Sequence, residues 1–282
     1  MRPRQWVKNL FVAAPLVFSK HLDDVPQALR AAAGVALFCA LSSAVYLWND
    51  VIDLEKDRAH PTKRNRPIAS GRLSPAAAKT GAAILGAGGL VAGLFLGLDF
   101  ALIAATYLLK DVAYSLVLKR IVYLDVLAIA SGFLLRVIAG AMAIAVWTSP
   151  YLLVCTGLLA CFLGFGKRAH ELATAGDNAG AQRAVLLSYR PRILQIAMWV
   201  TCCATFAGYI LYTRAEHTLA FFHTDRMIYT TPFAAIGLLR FQWLVTRPEV
   251  HDSPTDAMLK DPLFVLNFLA WGFAITSIIY FR

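Results

Sequence analysis

The sequence predicts an all-α, multi-pass membrane protein with about nine transmembrane helices, and three observations predict it. The 282 residues are 59% hydrophobic and only 16% charged, whereas soluble globular domains carry about 25% charged residues. The mean hydropathy is +0.60. Apolar runs of helical length alternate with charged or Pro/Gly-containing breaks along the whole chain. A span with its connection takes about 30 residues, so the length holds about nine spans and leaves no separate soluble domain. The chain therefore reads as a single intramembrane domain, 1–282.

The predicted helices cover about 6–20, 28–50, 75–97, 100–118, 123–146, 150–168, 191–213, 227–246 and 260–281. The first follows Arg2, Arg4 and Lys8 and contains the apolar run Leu10–Phe18, like the opening of a signal peptide. The charged stretch Lys20–Asp24 stands where a small-residue cleavage site would be, so this helix is read as retained. The second ends at Asn49 and Asp50, and the third begins beyond the basic connection that ends near Arg72. The fourth closes at Lys119-Arg120, the fifth opens at Asp125, and the sixth closes at Lys167-Arg168. Arg190 and Arg192 precede the seventh, Arg247 follows the eighth, and Lys260 opens the ninth.

With the amino end inside, the connections after the second, fourth, sixth and eighth helices share its side, and most lysines and arginines fall there. The opposite side holds Lys20, Arg30, Arg214, Arg226 and Arg282. The positive-inside bias makes the first side cytoplasmic, in a cell (inner) membrane, and explains part of the net charge of +10. No basic stripe with interleaved aromatics occurs on a soluble face, which excludes nucleic acid as a partner. The five cysteines lie inside apolar runs and read as small hydrophobes, with no disulfide framework or zinc site. The two longest cytoplasmic connections, 51–74 and 169–190, follow helices four apart and hint at a duplicated half. The oligomeric state, a homo-oligomer included, stays open.

The second helix runs out through Tyr46-Leu-Trp-Asn49-Asp50-Val-Ile-Asp53-Leu-Glu55-Lys56-Asp57-Arg58. At about 100° per residue, Asn49, Asp50, Asp53 and Asp57 fall within one arc of about 100°, with Glu55 pointing away. Acids beside a bilayer persist chiefly for function. A hard cation such as Mg²⁺ takes one or two carboxylates and completes its shell with water and substrate phosphates. Asn49, Asp50, Asp53 and Asp57 are therefore the candidate metal ligands, with Asp50 and Asp53 the candidate catalytic pair. The connection that follows carries Arg58, Lys63, Arg64 and Arg66, suited to phosphate, with Pro67 and Gly71 shaping the loop. Acids for a metal beside bases for phosphate describe a diphosphate site.

These residues resemble the first aspartate-rich motif of the UbiA prenyltransferase superfamily, whose members are nine-helix intramembrane transferases built around a central cavity. The likeness rests on Asn49-Asp50-x-x-Asp53-x-x-x-Asp57-Arg58, Arg66-Pro67 and Gly71 at the end of the second helix. Tyr114-Ser-x-x-Leu-Lys119-Arg120 resembles the family's Tyr-Pro-x-x-Lys-Arg element, and the resemblance covers essentially the whole chain. The family's second aspartate-rich motif is replaced by Gly166-Lys167-Arg168-Ala-His170-Glu171 and, further on, Gln182-Arg183. That basic replacement and the opening Arg2-Pro-Arg-Gln-Trp6-Val-Lys8-Asn9 are similar to the decaprenyl-phosphate phosphoribosyltransferase branch. The resemblance implies Mg²⁺-dependent transfer of 5-phosphoribose from 5-phosphoribosyl diphosphate to a polyprenyl (decaprenyl) phosphate, in building a cell-wall arabinan precursor.

A phosphoribosyl transfer must hold a diphosphate, a 5-phosphate and a lipid phosphate, which calls for more cations than prenyl transfer does. Lys8, Asn9, Tyr114, Lys119, Lys167, Arg168, Glu171, Gln182 and Arg183 complete the expected substrate-binding set. Arg136, inside the fifth helix, is expected either to reach a phosphate or to pair with Asp111. Lys110 and Asp111 are adjacent and are expected to take separate partners; Asp99 and Asp261 read as surface residues, and His60 and His170 as loop histidines. Two rival functions remain: prenyl transfer from a prenyl diphosphate to an aromatic or other small acceptor, and a transporter or flippase that uses the intramembrane charges.

Overall fold

The computed structural model describes residues 3–59, 63–175, 184–246 and 253–281. Among the described residues all regular structure is helical. The first predicted helix is a 3₁₀ segment, Pro3–Ala13, that widens into α1, Ala14–Phe18. Helix α2 (Val25–Ile52) opens on Asp24, whose carboxylate accepts the Gln27 N–H at 3.2 Å. Its ladder breaks at Asp53, and α3 (Leu54–Ala59) follows. Ser74 caps α4 (Pro75–Gly93), Gly97 at φ +131° makes the turn into α5 (Leu98–Leu116), and α6 covers Leu124–Ala143. Beyond these come α7 (Pro150–Ala175), α8 (Pro191–Arg214), α9 (Glu216–Phe222), α10 (Thr231–Thr246), α11 (Pro254–Lys260) and α12 (Pro262–Tyr280).

Each of the nine predicted ranges contains helix. Among the described residues six helices, α2, α4, α6, α7, α8 and α12, are long and apolar enough to cross a membrane. The other three differ for physical reasons: the first segment is mostly 3₁₀, α5 carries Asp99, Lys110 and Asp111, and α10 has only 16 residues. Large apolar side chains such as Phe95, Leu109 and Phe273 are 85%, 70% and 75% exposed, an arrangement that suits lipid rather than water.

The chain divides into two compact units, Met1–Thr148 and Ser149–Arg282. In the first, α2 packs on α4, the 3₁₀ segment lies against both α2 and α6, and α5 packs on α6. Val12, Phe38, Phe100, Tyr107, Ala139 and Ala143 form its core, with the Phe38 and Phe100 rings edge to face at 6.0 Å. Arg30 ties the helix ends by donating to the carbonyls of Ala143 (2.7 Å) and Leu96 (2.6 Å). The 3₁₀ segment comes so close to α6 that a Cβ at Gly140 would stand 1.9 Å from the Val12 carbonyl oxygen.

In the second unit α7 packs on α8 and α10 on α12, around Phe162, Met198, Leu238, Phe241 and Val245. The sequence places Asp261 on the surface, but its carboxylate is largely covered. It caps α12 through the Phe264 N–H (2.7 Å) and accepts from Arg240 Nε (3.1 Å) and Nη2 (2.6 Å). The Arg240 guanidinium also stacks 4.0 Å above the Trp243 ring. Its hydrogen bonds hold the Asp261 carboxyl below the ordinary carboxylate range.

Two outcomes follow for purified protein in detergent. Gly140→Ala should lower the melting temperature markedly, since overpacking against backbone costs about 1–3 kcal/mol. Gly88→Ala, where nothing lies within 4 Å of the new Cβ, should not lower it. A depressed carboxylate stabilises fully above its unfolded pKa and loses that contribution as pH falls through the folded value. Asp261→Asn should therefore lower the melting temperature at neutral pH, and the gap to wild type should close below about pH 4.

Candidate active site

The candidate site forms where α2 gives way to α3. Backbone bonds from Asp53 N to Asn49 O (2.9 Å) and from Asp57 N to Asp53 O (2.8 Å) carry the helical ladder across the break. Asp50 and Asp57 thereby stay on one face, 9% and 4% exposed. Arg66 Nη1 reaches both, at 3.2 Å from Asp50 Oδ1 and 2.5 Å from Asp57 Oδ2. Two acids removed from water side by side need a cation, because an uncompensated buried charge costs several kcal/mol.

The loop that delivers Arg66 is held from within. Arg66 N bonds to Lys63 O (2.9 Å), Ser70 N to Arg66 O (2.8 Å), and Arg72 donates to Asn65 O (2.6 Å) and Ser70 Oγ (3.1 Å). Gly71 sits at φ +80°, where a side chain would be strained. Tyr46, Leu47, Asp50, Arg66, Pro67, Ile68 and Leu73 line a small open pocket.

Asp53 turns to a different partner, with Lys119 Nζ 3.1 and 3.3 Å from its two oxygens. One turn back, on α5, the Ser115 hydroxyl donates to Asn49 Oδ1 and, at 2.8 Å, to the Asp111 carbonyl. The four expected metal ligands are thus divided between Arg66, Lys119 and Ser115. Among the described residues no three His, Cys, Asp or Glu side chains are gathered to hold a metal ion. The donor chemistry still fits a hard divalent cation: the oxygens of Asp50 and Asp57 already converge on one positive group, and Mg²⁺ needs only one or two carboxylates when phosphates complete its shell.

Of the other expected substrate residues, Arg58 is exposed and pairs within α3 with Glu55 at 2.9 Å, a solvated contact. Lys63 is half-buried and Arg64 exposed on a 3₁₀ turn, Lys63–Asn65, and Tyr114 is half-buried on α5. Lys8 is half-buried and Asn9 fully buried.

Asn9 and Arg136, far apart in sequence, meet in the interior of the first unit. Arg136 donates to Asn9 Oδ1 (2.9 Å), Gly132 O (2.8 Å) and Tyr107 OH (3.0 Å) and lies 4.8 Å above the Tyr107 ring. Asn9 in turn donates to Ser42 Oγ (3.1 Å) and Cys39 Sγ (3.2 Å), and Trp6 to Ser43 Oγ (3.2 Å). The Arg136 guanidinium thus bonds to Asn9, Gly132 and Tyr107, where the sequence offered a phosphate or Asp111 as its partner. Lys110 and Asp111, expected to take separate partners, pair with each other at 2.6 Å because their flexible side chains bend together. Sequence reasoning passed over Tyr107, Ser115 and the serines of α2. Tyr107, Asp111 and Ser115 recur every four residues along α5, with Lys119 four further on in the 3₁₀ turn Leu118–Arg120, and that period was the available signal.

In the second unit Lys167, Arg168 and Glu171 lie on the last turns of α7, which runs on to Ala175 beyond its predicted end. Glu171 Oε1 is 4.0 Å from Lys167 Nζ, and its other oxygen bonds to the wholly buried Arg168. His170, read from sequence as a loop residue, is buried on this helix. Gln182, Arg183 and His60 lie outside the described residues.

The profile of the UbiA prenyltransferase family matches residues 9–269, from the buried Asn9 through both units. The chain belongs to this family. A protein named decaprenyl-phosphate phosphoribosyltransferase from Mycolicibacterium smegmatis is 34% identical over 292 residues, covering 100% of this chain and 91% of that one. The apo structure of a UbiA homolog from Aeropyrum pernix K1 superposes with a TM-score of 0.72 at 18% identity, covering 99% of this chain and 98% of that one. A UbiA homolog from Archaeoglobus fulgidus bound to DMAPP and Mg²⁺ gives 0.68 at 17% identity, covering 98% and 97%. This UbiA protein is accordingly a membrane-embedded transferase with the fold of those homologs.

Removing the cation shared by the two acids should be felt strongly. Arg66→Gln should destabilise the protein by ~2–4 kcal/mol, allowing for the partial exposure of the guanidinium. Glu55→Gln, which breaks the exposed pair, should shift it by no more than about 0.5 kcal/mol. Thermal unfolding of both variants against wild type at neutral pH makes the comparison.

Proposed function

We propose that this UbiA protein transfers 5-phosphoribose from 5-phosphoribosyl diphosphate to a polyprenyl phosphate, with decaprenyl phosphate the first candidate, releasing diphosphate. The observation that supports the reading is the cluster of Asp50, Asp53 and Asp57 with Arg66 and Lys119 in a chain similar over its whole length to a named decaprenyl-phosphate phosphoribosyltransferase. Such a product suits the making of a cell-wall arabinan precursor. The distribution of lysine and arginine supports an inner-membrane location with this cluster facing the cytoplasm.

In this reading Asn49, Asp50, Asp53 and Asp57 hold Mg²⁺, which neutralises the leaving diphosphate when bound. Arg66 and Lys119 then exchange carboxylate for phosphate oxygens, as guanidinium and ammonium groups do readily. Arg58, Lys63 and Arg64 extend the same basic surface, and Tyr46 and Pro67 line the pocket beside it. A lipid phosphate oxygen attacks ribose C1, the C1–O bond to diphosphate breaks, and the electron pair leaves with diphosphate. The nucleophile is already an anion, so the residues need not remove a proton. Their contribution is positioning and charge stabilisation as cationic character builds at C1. Lys8, Tyr114, Lys167, Arg168, Glu171, Gln182 and Arg183 are proposed to serve the remaining phosphates. Asn9 and Arg136 belong with them as residues that anchor the 3₁₀ segment bearing Lys8.

The test supplies purified protein with Mg²⁺, polyprenyl phosphate and 5-phosphoribosyl diphosphate and seeks polyprenyl phosphoribose phosphate by mass spectrometry. Wild type should form it, and Asp50→Ala and Asp53→Ala should abolish it while remaining folded in the membrane. Full activity in either variant, or prenylation of an aromatic acid from prenyl diphosphate in place of this product, overturns the assignment.

A further inference from the structure

We propose that Lys110 and Arg136, brought together across Gly132, form a binding site for a phosphate monoester inside the first unit. Its role rests on the transfer reading above, in which the lipid acceptor and the 5-position of the donor each carry such a group. Lys110 lies five residues before Ser115, the neighbour of Asn49, and so about 7 Å along α5 from the acidic cluster.

Two features put the cations at one place. A Cβ at Gly132 would stand 2.9 Å from Lys110 Nζ and 3.4 Å from Arg136 Nη1, so the missing side chain lets both groups close on the same point. They also share one aromatic ring, with Lys110 Nζ 5.0 Å and the Arg136 guanidinium 4.8 Å from the centroid of Tyr107. Arg136 is 6% exposed, and like charges this close repel strongly away from water.

One carboxylate is present for the two cations. Asp111 Oδ1 pairs with Lys110 at 2.6 Å, while Arg136 bonds to the neutral oxygens of Asn9, Gly132 and Tyr107. Among the described residues no second acid pairs with either group, so the cluster carries one positive charge in excess, in a setting where uncompensated charge is costly. Its donors are in excess too: Arg136 spends three of its five N–H groups on these partners and Lys110 one of its three. Anchoring the 3₁₀ segment needs Arg136 alone and does not account for a second cation beside it. A phosphate oxygen does, because it neutralises the excess charge and accepts from an ammonium and a guanidinium together. The side chains of Lys110 and Asp111 are 16% and 14% exposed, which leaves the point open to a ligand.

Titration calorimetry on the full-length protein in detergent, without metal, tests the site with farnesyl phosphate for the lipid source and ribose 5-phosphate for the donor source. Lys110→Gln combined with Asp111→Asn removes the cation without stranding its partner. Gly132→Ala displaces the ammonium, whose flexible stem yields while the backbone stays in place. Both should weaken the probe that occupies the site about tenfold, as loss of one charge-assisted hydrogen bond does, and Lys110→Arg, which keeps a cation, should retain binding. Weakening of farnesyl phosphate alone assigns the site to the acceptor, of ribose 5-phosphate alone to the donor, and of both to a site that takes either. The proposal is overturned if both probes bind the variants as tightly as wild type, or if neither binds wild type. A loss that Lys110→Arg shares, or that extends to uncharged farnesol, overturns it as well, since it reports packing rather than charge. If the variants bind as wild type while Asp50→Ala still abolishes product, the transfer reading stands and this site falls. Weakened binding in a protein that makes no phosphoribosyl product keeps the site and removes that reading.

Discussion

Two carboxylates buried at the end of one helix, with a single guanidinium between them, set the terms for the rest of the site. Asp50 and Asp57 are close to fully covered, and charges in that setting persist only with a counter-charge at hydrogen-bond distance. Arg66 provides it from a loop braced by Arg72 and turned by Gly71. The loop is therefore folded against the acids because of their charge, and the pocket beside Tyr46 and Pro67 follows from that closure. The same electrostatic demand that stabilises the loop makes the cluster receptive to a divalent cation and phosphates, which bring equal and opposite charges to the same atoms.

A second polar layer lies deeper in the first unit and has a different character. Arg136 bonds here to the neutral oxygens of Asn9, Gly132 and Tyr107, and Asn9 to that of Ser42. In a low-dielectric interior such bonds are worth making because the groups have no water to return to. Their effect is to fasten the 3₁₀ segment to α2 and α6, at the point where Gly140 lets backbone approach backbone. Helix α5 carries Tyr107 in this layer and Ser115 beside Asn49, and the 3₁₀ turn that follows it carries Lys119 to Asp53, so one continuous stretch of chain supplies partners to both.

Much of the site was legible in the sequence because it obeys a local period. Asn49, Asp50, Asp53 and Asp57 share an arc on any helix, and the ladder across Asp53 preserves it. The basic loop reads as a phosphate binder from its composition. Partnerships were not legible. Asp261 looked like a surface acid because nothing nearby in sequence announces Arg240, and Lys110 and Asp111 were separated on a helical wheel that ignores how far long side chains bend. His170 was assigned to a loop because the basic residues at 167 and 168 were taken as the end of the helix, whereas α7 continues through them.

The sequence alone determined that this chain is helical and membrane-embedded, where its acids and bases cluster, and which family it resembles. These follow from composition and from spacing along single helices, which are properties of contiguous residues. Only the tertiary structure decided that Arg66 serves both Asp50 and Asp57, that Lys119 takes Asp53, that Asn9 meets Arg136, and that Ser115 faces Asn49. Each is a contact between segments distant in the chain, set by which helix packs on which. A hydrogen bond is directional over about 3 Å, and spacing along a sequence carries no record of that distance.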